Sequence, residues 1–182
     1  MCMYNIYIFI NLKMDPFFIE CRKDFLVYIS SSDSLSHYPQ NNFYQFTTIL
    51  PRTLRLIQNP PHHYWSVSVN DAVLLGPNDT LLEIPENIVI ITNIIEPTIV
   101  HGGFKGILKH LWKTDSNSQP SLSNLQQHPL TTNTINTISF KLETIKFETL
   151  NLQEWEKLVP EGMWNQLEVN LVLHFQLLET PL

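Results

Sequence analysis

Hydrophobic and polar residues alternate with a period of two along much of this chain of 182 residues. The clearest example is 167–177, where every second residue is apolar: Leu167, Val169, Leu171, Leu173, Phe175 and Leu177. In an extended strand, successive side chains point to opposite faces. The pattern therefore predicts a strand near the end of the sequence, with one face buried in a core.

Other segments carry the same signal. Strands are predicted at 24–30, 42–50, 53–57, 64–75 and 135–147. Their expected buried faces include Phe46, Thr48 and Leu50, then Trp65, Val67 and Val69, and finally Ile138, Phe140 and Leu142. Pro51 is expected to end its strand, because proline has no N–H for a ladder hydrogen bond. The nearly continuous β-branched run at 87–95 predicts a strand buried on both faces.

Helix signals are confined to two places. Residues 105–112 fit either a short helix or a strand, and residues 151–164 fit one helical turn followed by a loop. About eight strands separated by Pro- and Asn-rich turns predict an all-β domain, of the sandwich or jelly-roll type or a barrel.

Chain length predicts one domain. We expect 1–13 to be an N-terminal extension that is either disordered or adds an edge strand. Residues 14–182 are expected to form a single β domain, either complete or lacking part of the sandwich. The polar segment 114–134 carries two prolines and predicts a long surface loop.

Charged residues make up only 15% of the chain. A surface with so few charges is often partly covered by partners, although the plentiful Ser, Thr, Asn and Gln can also solvate it. The net charge of −6 and the scattered basic residues argue against nucleic-acid binding. The apolar start is too short to span a bilayer, and Cys2 and Cys21 are too few for a disulfide framework or a zinc site. We therefore expect an intracellular protein with no membrane partner.

No catalytic, cofactor or metal site is predicted. The seven histidines are dispersed, and no spacing places two of them on one face of an element beside a carboxylate. Ser, Asp and His occur together within 30–37, but a catalytic triad is assembled from separated segments, so turn capping is the simpler interpretation. The turn at 101–106 has three glycines but lacks the ending of a phosphate loop. The expectation is a protein without enzymatic activity.

The large aromatic residues are the remaining candidates for function. Trp65, Trp112, Trp155 and Trp164 fit core or rim positions. Where charge is scarce they also fit contacts between subunits, because Trp is enriched at interface hot spots. Trp65, Trp155, Trp164 and Phe175 are the candidate interface residues.

The segment 25–67 resembles a family of proteins from Polinton (Maverick) elements and the related adintoviruses. Family members carry a Phe-x-Val-x-Leu-x-Ser-x-x-Ser stretch, then Tyr-Pro-x-Asn, a Phe-containing strand, a leucine-rich segment and a Trp-x-Val strand. The residues at those places are Phe25, Val27, Ile29, Ser31, Ser34, Tyr38, Pro39, Asn41, Phe46, Leu50, Leu54, Leu56, Trp65 and Val67. Residues 87–112, 133–144 and 169–175 are similar to later segments of the family.

The resemblance implies a structural virion component of the minor-capsid or penton-like type. Such a protein would act in the host cell or virion, through homo-oligomeric self-association and contacts with other capsid subunits. The chain departs from the family where only 72–86 replaces a long middle region, where His101, Gly102 and Gly103 replace a Val-Gly-Asp stretch, and at Lys109, where arginine is usual. Two alternatives therefore stay open: a domesticated host protein-binding module, or a truncated relic without function.

Overall fold

The computed structural model describes residues 23–56, 63–100, 103–111, 126–159 and 163–179. The extension predicted at 1–13, Trp112 and residues 114–125 of the predicted loop lie outside this part of the chain. The side chain of Trp164 lies outside it as well.

Eleven strands and one short helix form within the described residues. The strands are β1 (Asp24–Ser30), β2 (Gln45–Arg55), β3 (His63–Gly76), β4 (Thr80–Leu82), β5 (Ile88–Thr92), β6 (Thr98–Val100), β7 (Gly103–Lys105), β8 (Ile107–Leu111), β9 (His128–Pro129), β10 (Thr134–Thr144) and β11 (Glu168–Glu179). The helix α1 spans Leu152–Glu156, and two 3₁₀ turns span Pro77–Asp79 and Trp164–Gln166.

The strands form two antiparallel sheets and a separate hairpin. The first sheet has the order β1-β11-β3-β4, and β9 also pairs with β3. The second sheet has the order β2-β10-β5-β8, and β6 pairs with β7 as a hairpin. One cluster of buried side chains draws on both sheets, so the sheets pack around a shared core. The predicted all-β, sandwich-like fold is confirmed.

The alternation predicted for the last strand is confirmed in β11. Val169, Leu171, Leu173 and Phe175 are buried, whereas the residues between them are partly exposed. Phe175 stacks on Phe25 of the neighbouring β1, with ring centroids 5.1 Å apart. Because full burial of one such side chain contributes about 1.5–3 kcal/mol, β11 is a central support of the core.

The other predicted buried faces are also confirmed. All the residues expected to be buried on β2, β3 and β10 lie in the interior. In β5, Ile88 and Ile90 belong to the core cluster, and Val89 on the opposite face is 0% exposed. This strand is therefore buried on both faces, as its β-branched run predicts.

The prediction that Pro51 ends a strand is wrong. β2 continues through Pro51 to Arg55, so it joins the two strands predicted at 42–50 and 53–57. Within the described residues β2 pairs only with β10. An edge strand tolerates proline because the missing N–H can face away from the sheet, so a proline alone does not mark the end of a strand.

The structure decides one ambiguous prediction, at 105–112, and corrects part of another, at 114–134. The ambiguous segment 105–112 contains the strand β8, which pairs with β5. Within the predicted loop 114–134, His128 and Pro129 pair with β3, and β10 begins at Thr134. Short pairings of this kind are set by the neighbouring strand, so a local polar composition does not reveal them.

Candidate interaction surfaces

Three of the four aromatic residues predicted at an interface lie in the interior of the chain. The exposed fractions of Trp65, Trp155 and Phe175 are 4%, 1% and 0%. Their rings pack on other core rings: Phe25 contacts both Trp65 and Phe175, and Trp155 lies 5.0 Å from Phe43 between centroids. Buried side chains offer no surface to a partner, so the interface assignment is wrong for these three residues.

Trp155 illustrates why a tryptophan in a polar segment belongs to the core. It lies in α1, beside exposed glutamates, yet its indole N–H donates a hydrogen bond of 2.7 Å to Glu86 Oε1. The bond satisfies the one polar atom of the indole, which allows the whole ring to be buried. Trp155 therefore anchors α1 to the sandwich. The interface prediction for Trp164 is not tested, because its side chain is outside the described residues.

Other apolar side chains are exposed instead. Among the described residues, the most exposed large apolar side chains are Leu81, Ile99 and Phe104, at 69%, 70% and 74%. Tyr28 follows at 55%. The exposure of Leu81, Ile99 and Phe104 is hard to predict, because the strands β4, β6 and β7 are too short to show a clear period of two.

Ile99 and Phe104 lie side by side on the hairpin β6–β7. They are directly opposite each other in its antiparallel register. Residues opposite each other in such a pair point to the same face, with Cβ atoms about 4.5–5.5 Å apart. The hairpin therefore presents two adjacent apolar side chains to solvent, and we call this pair the hairpin patch.

A buried carboxylate holds the hairpin to the second sheet. Glu143 of β10 is 4% exposed and accepts a hydrogen bond from Lys105 Nζ of β7. Lys141 Nζ lies 2.7 Å from the other carboxylate oxygen of Glu143. Burial raises the pKa of Glu143, but the hydrogen bonds from Lys105 and Lys141 outweigh it and hold the pKa below its ordinary value. Lys105 Nζ also lies 5.3 Å from the ring centroid of Phe147, in cation–π range.

A second lysine links the two sheets. Lys109 Nζ of β8 donates a hydrogen bond of 3.0 Å to the carbonyl oxygen of Val69 in β3. Burial lowers the pKa of Lys109, and the nearby Asp71 carboxylate partly offsets that effect. The ammonium is therefore used inside the fold rather than offered to a partner.

Side chains cover the outer edge of β2, where the second sheet ends. The Thr47 N–H donates to Asn41 Oδ1 at 3.0 Å, and Asn41 Nδ2 donates to the Thr47 carbonyl at 2.8 Å. The Ile49 N–H donates to Ser34 Oγ at 2.9 Å. Asn41 and Ser34 thus occupy backbone groups that would otherwise bind an added strand, which is how many proteins protect a sheet edge.

Among the described residues, no side chain covers the outer edge of β1 at Leu26 and Tyr28 in this way. Lys23 and Ser31 bond through their backbones to β11, the first as acceptor from Leu177 and the second as donor to Val169. Because bonded sides alternate along an antiparallel strand, the even-numbered residues between them direct their N–H and C=O groups away from β11. In the described part of the chain, neither Leu26 nor Tyr28 has a bonding partner on that side.

The outer face of the first sheet carries serine, histidine and aspartate without the geometry of a catalytic triad. Ser68 lies directly opposite His174, and His174 Nε2 lies 3.8 Å from Asp24 Oδ2. The Ser68 hydroxyl, however, is 1% exposed and accepts from Gln127 Nε2. No hydrogen bond joins Ser68 to His174 in the described residues, so the serine is not activated as a nucleophile.

The residues within 30–37 act in turns, as the sequence predicts. Asp33 Oδ2 accepts from the Ser30 N–H at 2.7 Å, and Ser36 Oγ lies 3.1 Å from His37 Nδ1. Among the described residues, no three His, Cys, Asp or Glu side chains are grouped so that they could hold a metal ion. No helix in that part of the chain is long and apolar enough to cross a membrane.

Comparisons with known proteins add no family to this picture. The chain matches no protein-family model and no curated protein.

Proposed function

We propose that this chain is a non-enzymatic structural subunit that associates with copies of itself in a virus-like particle of a Polinton-like element. The resemblance in the sequence suggests the particle, and the hairpin patch is the observation that carries self-association. The proposed mechanism is the burial of apolar surface between β domains. Ile99 and Phe104 of the hairpin patch, and not the buried tryptophans, supply that surface.

The hairpin patch suits this role because it is both apolar and held in place. Ile99 and Phe104 are each at least 70% exposed, and burial of apolar surface contributes roughly 25 cal/mol per Å². The contacts of Lys105 with Glu143 and Phe147 hold the hairpin against the second sheet. An ordered patch loses less conformational entropy on association than a free loop does.

The test is the mass of the full chain by light scattering over a concentration series. Wild type is expected to form a discrete β-rich oligomer. The double variant Ile99→Ser/Phe104→Ser is expected to shift toward the monomer, whereas Thr98→Ser, on the same hairpin, should leave the mass unchanged. A wild-type monomer at every concentration would overturn the proposal.

A protein-binding β module is the second candidate. The open outer edge of β1 favours it, because an extended segment of another protein can add to such an edge as a strand. A folded wild-type monomer that binds an extended peptide at β1 would support this candidate over the first.

A further inference from the structure

We propose that the outer edge of β1 is a self-pairing surface, on which β1 of a second copy adds in antiparallel orientation about a twofold axis at Leu26. The inference rests on the proposed self-association and adds a second contact between copies, beside the hairpin patch. The pairing would join the two first sheets into one continuous sheet across the dimer.

In a short stretch of β1, the even-numbered residues direct their backbone N–H and C=O groups to the outer side of the sheet. Asp24, Leu26 and Tyr28 direct their N–H and C=O groups away from β11, as the bonds of Lys23 and Ser31 to that strand require. The backbone groups of Ser30 point the same way, but its N–H already donates to Asp33 Oδ2 at 2.7 Å. In the described part of the chain, the stretch without bonding partners on the outer side is therefore 24–28, and its centre is Leu26.

A stretch centred on Leu26 is complementary to itself. In a twofold antiparallel pair, Leu26 lies opposite Leu26 of the second copy, and Asp24 lies opposite the second copy's Tyr28. All of these residues direct their N–H and C=O groups away from β11. Each of the three opposed pairs would therefore exchange two backbone hydrogen bonds, about six in all. Leu26 and Tyr28 lie on one face of the sheet and Phe25 and Val27 on the other, so each row would continue across the axis.

Charge complementarity supports the same register. No like charges are opposed in 24–28, because Asp24 is its only charged residue and faces a tyrosine. Lys23 directly precedes Asp24 at one end of the stretch, and in the pair it lies next to the end of the second copy's strand, where Asp33 binds Ser30. The pair would therefore bring a lysine and an aspartate together at both ends.

Within the described residues, the edge also lacks the usual features that prevent strand pairing. Natural edge strands carry lysine, proline or a bulge, or are covered by other parts of the chain. Residues 24–28 contain no lysine or proline, and β1 pairs with β11 without a register shift. The outer edge of β2, by contrast, is covered by Asn41 and Ser34.

A charge-swap experiment at the twofold axis tests the proposal. Leu26→Lys and Leu26→Glu full chains are made separately, each opposing like charges across the axis. Each is expected to dimerise at least about tenfold more weakly than wild type. An equimolar mixture of the two should recover dimer, because lysine then faces glutamate. Thr53→Lys and Thr53→Glu, at an exposed position of β2, are the matched controls and should behave like wild type.

Mass is measured by analytical ultracentrifugation, with a thermal melt by circular dichroism to confirm folding. Recovery of dimer only in the mixture would support the register about Leu26. Variants that associate as wild type does would overturn the edge pairing and leave self-association standing. A monomeric wild type overturns both. Slow hydrogen exchange at the Leu26 amide in that monomer would show another segment of the same chain on the edge.

Discussion

The outer edges of β1 and β2 end the two sheets of the same domain, yet they differ in how many of their outward backbone groups are bound by side chains. At β2, Asn41 binds both the N–H and the C=O of Thr47, and Ser34 accepts from Ile49. At β1, among the residues that the structure describes, only Ser30 is bound on its outward side by such a side chain, that of Asp33. Leu26 and Tyr28 have none within the described residues.

The difference shows that edge protection is local. Both edges belong to sandwich sheets on one core, so the fold as a whole does not decide which edge is open. A few polar side chains in the segment 31–42 decide it, because they supply the hydrogen bonds that a further strand would supply. An edge without them keeps that capacity for a partner.

The largest effect is expected from removing the core on which both edges depend. Phe175→Ala should lower the free energy of unfolding by about 3–5 kcal/mol, because it leaves a cavity beside Phe25, which also packs on Trp65. Urea denaturation followed by circular dichroism measures it. The exposed Thr53→Ala should change it by less than about 0.5 kcal/mol. A loss below about 1 kcal/mol for Phe175→Ala would contradict the shared core.

A smaller loss is expected at the anchor of the hairpin. Glu143→Gln should cost about 1–3 kcal/mol, because Lys105 and Lys141 lose their charged acceptor in a site that is largely buried. Urea denaturation at neutral pH measures the loss. Glu148→Gln, at an exposed position, is the control and should be close to wild type. Equal stability of the two variants would show that the anchor contributes nothing.

The same anchor gives a pH dependence. The pKa of Glu143 is lowered in the folded chain, so its ion pairs stabilise the fold fully above the ordinary value of 4.5. That stabilisation is lost as the pH falls through the lowered folded pKa. The difference in free energy of unfolding between wild type and Glu143→Gln should therefore shrink below pH 4.5. A difference that stays constant into acid would contradict the ion-pair explanation.

The smallest of these losses is expected at the protected edge. Asn41→Ala should cost about 1–2 kcal/mol, because it removes two hydrogen bonds to Thr47. It should also accelerate hydrogen exchange at the Thr47 amide, which makes this edge resemble that of β1. Asn136→Ala, at an exposed position of β10, serves as control. Unchanged exchange at Thr47 would show that Asn41 is not what protects the edge.

Long alternating segments made most of the fold predictable. β1, β3, β10 and β11 lie close to their predicted positions because each has a buried face long enough to show a period of two. The continuation of β2 through Pro51 was missed, because the tolerance for proline depends on whether the strand lies at an edge. The pairing of β9 was missed because two residues carry no period at all.

The candidate surface was harder to predict than the fold. A tryptophan has the same sequence signal in a core and at an interface, and Trp65 and Trp155 proved to be core. The exposure of Ile99 and Phe104 depends on a hairpin held by Lys105 and Glu143, a contact between residues distant in the sequence. The open edge of β1 follows from the order of strands in the sheet, which the alternation of single strands does not contain.

The most direct test is hydrogen exchange of the full chain, followed by mass spectrometry or NMR at low and high protein concentration. The Thr47 and Ile49 amides should be protected at both concentrations, because Asn41 and Ser34 bind them within the chain. The Leu26 and Tyr28 amides should exchange fast when dilute and become protected as the chain associates. Fast exchange of Leu26 and Tyr28 in an associated sample, or their protection in a dilute monomer, would contradict self-pairing at β1.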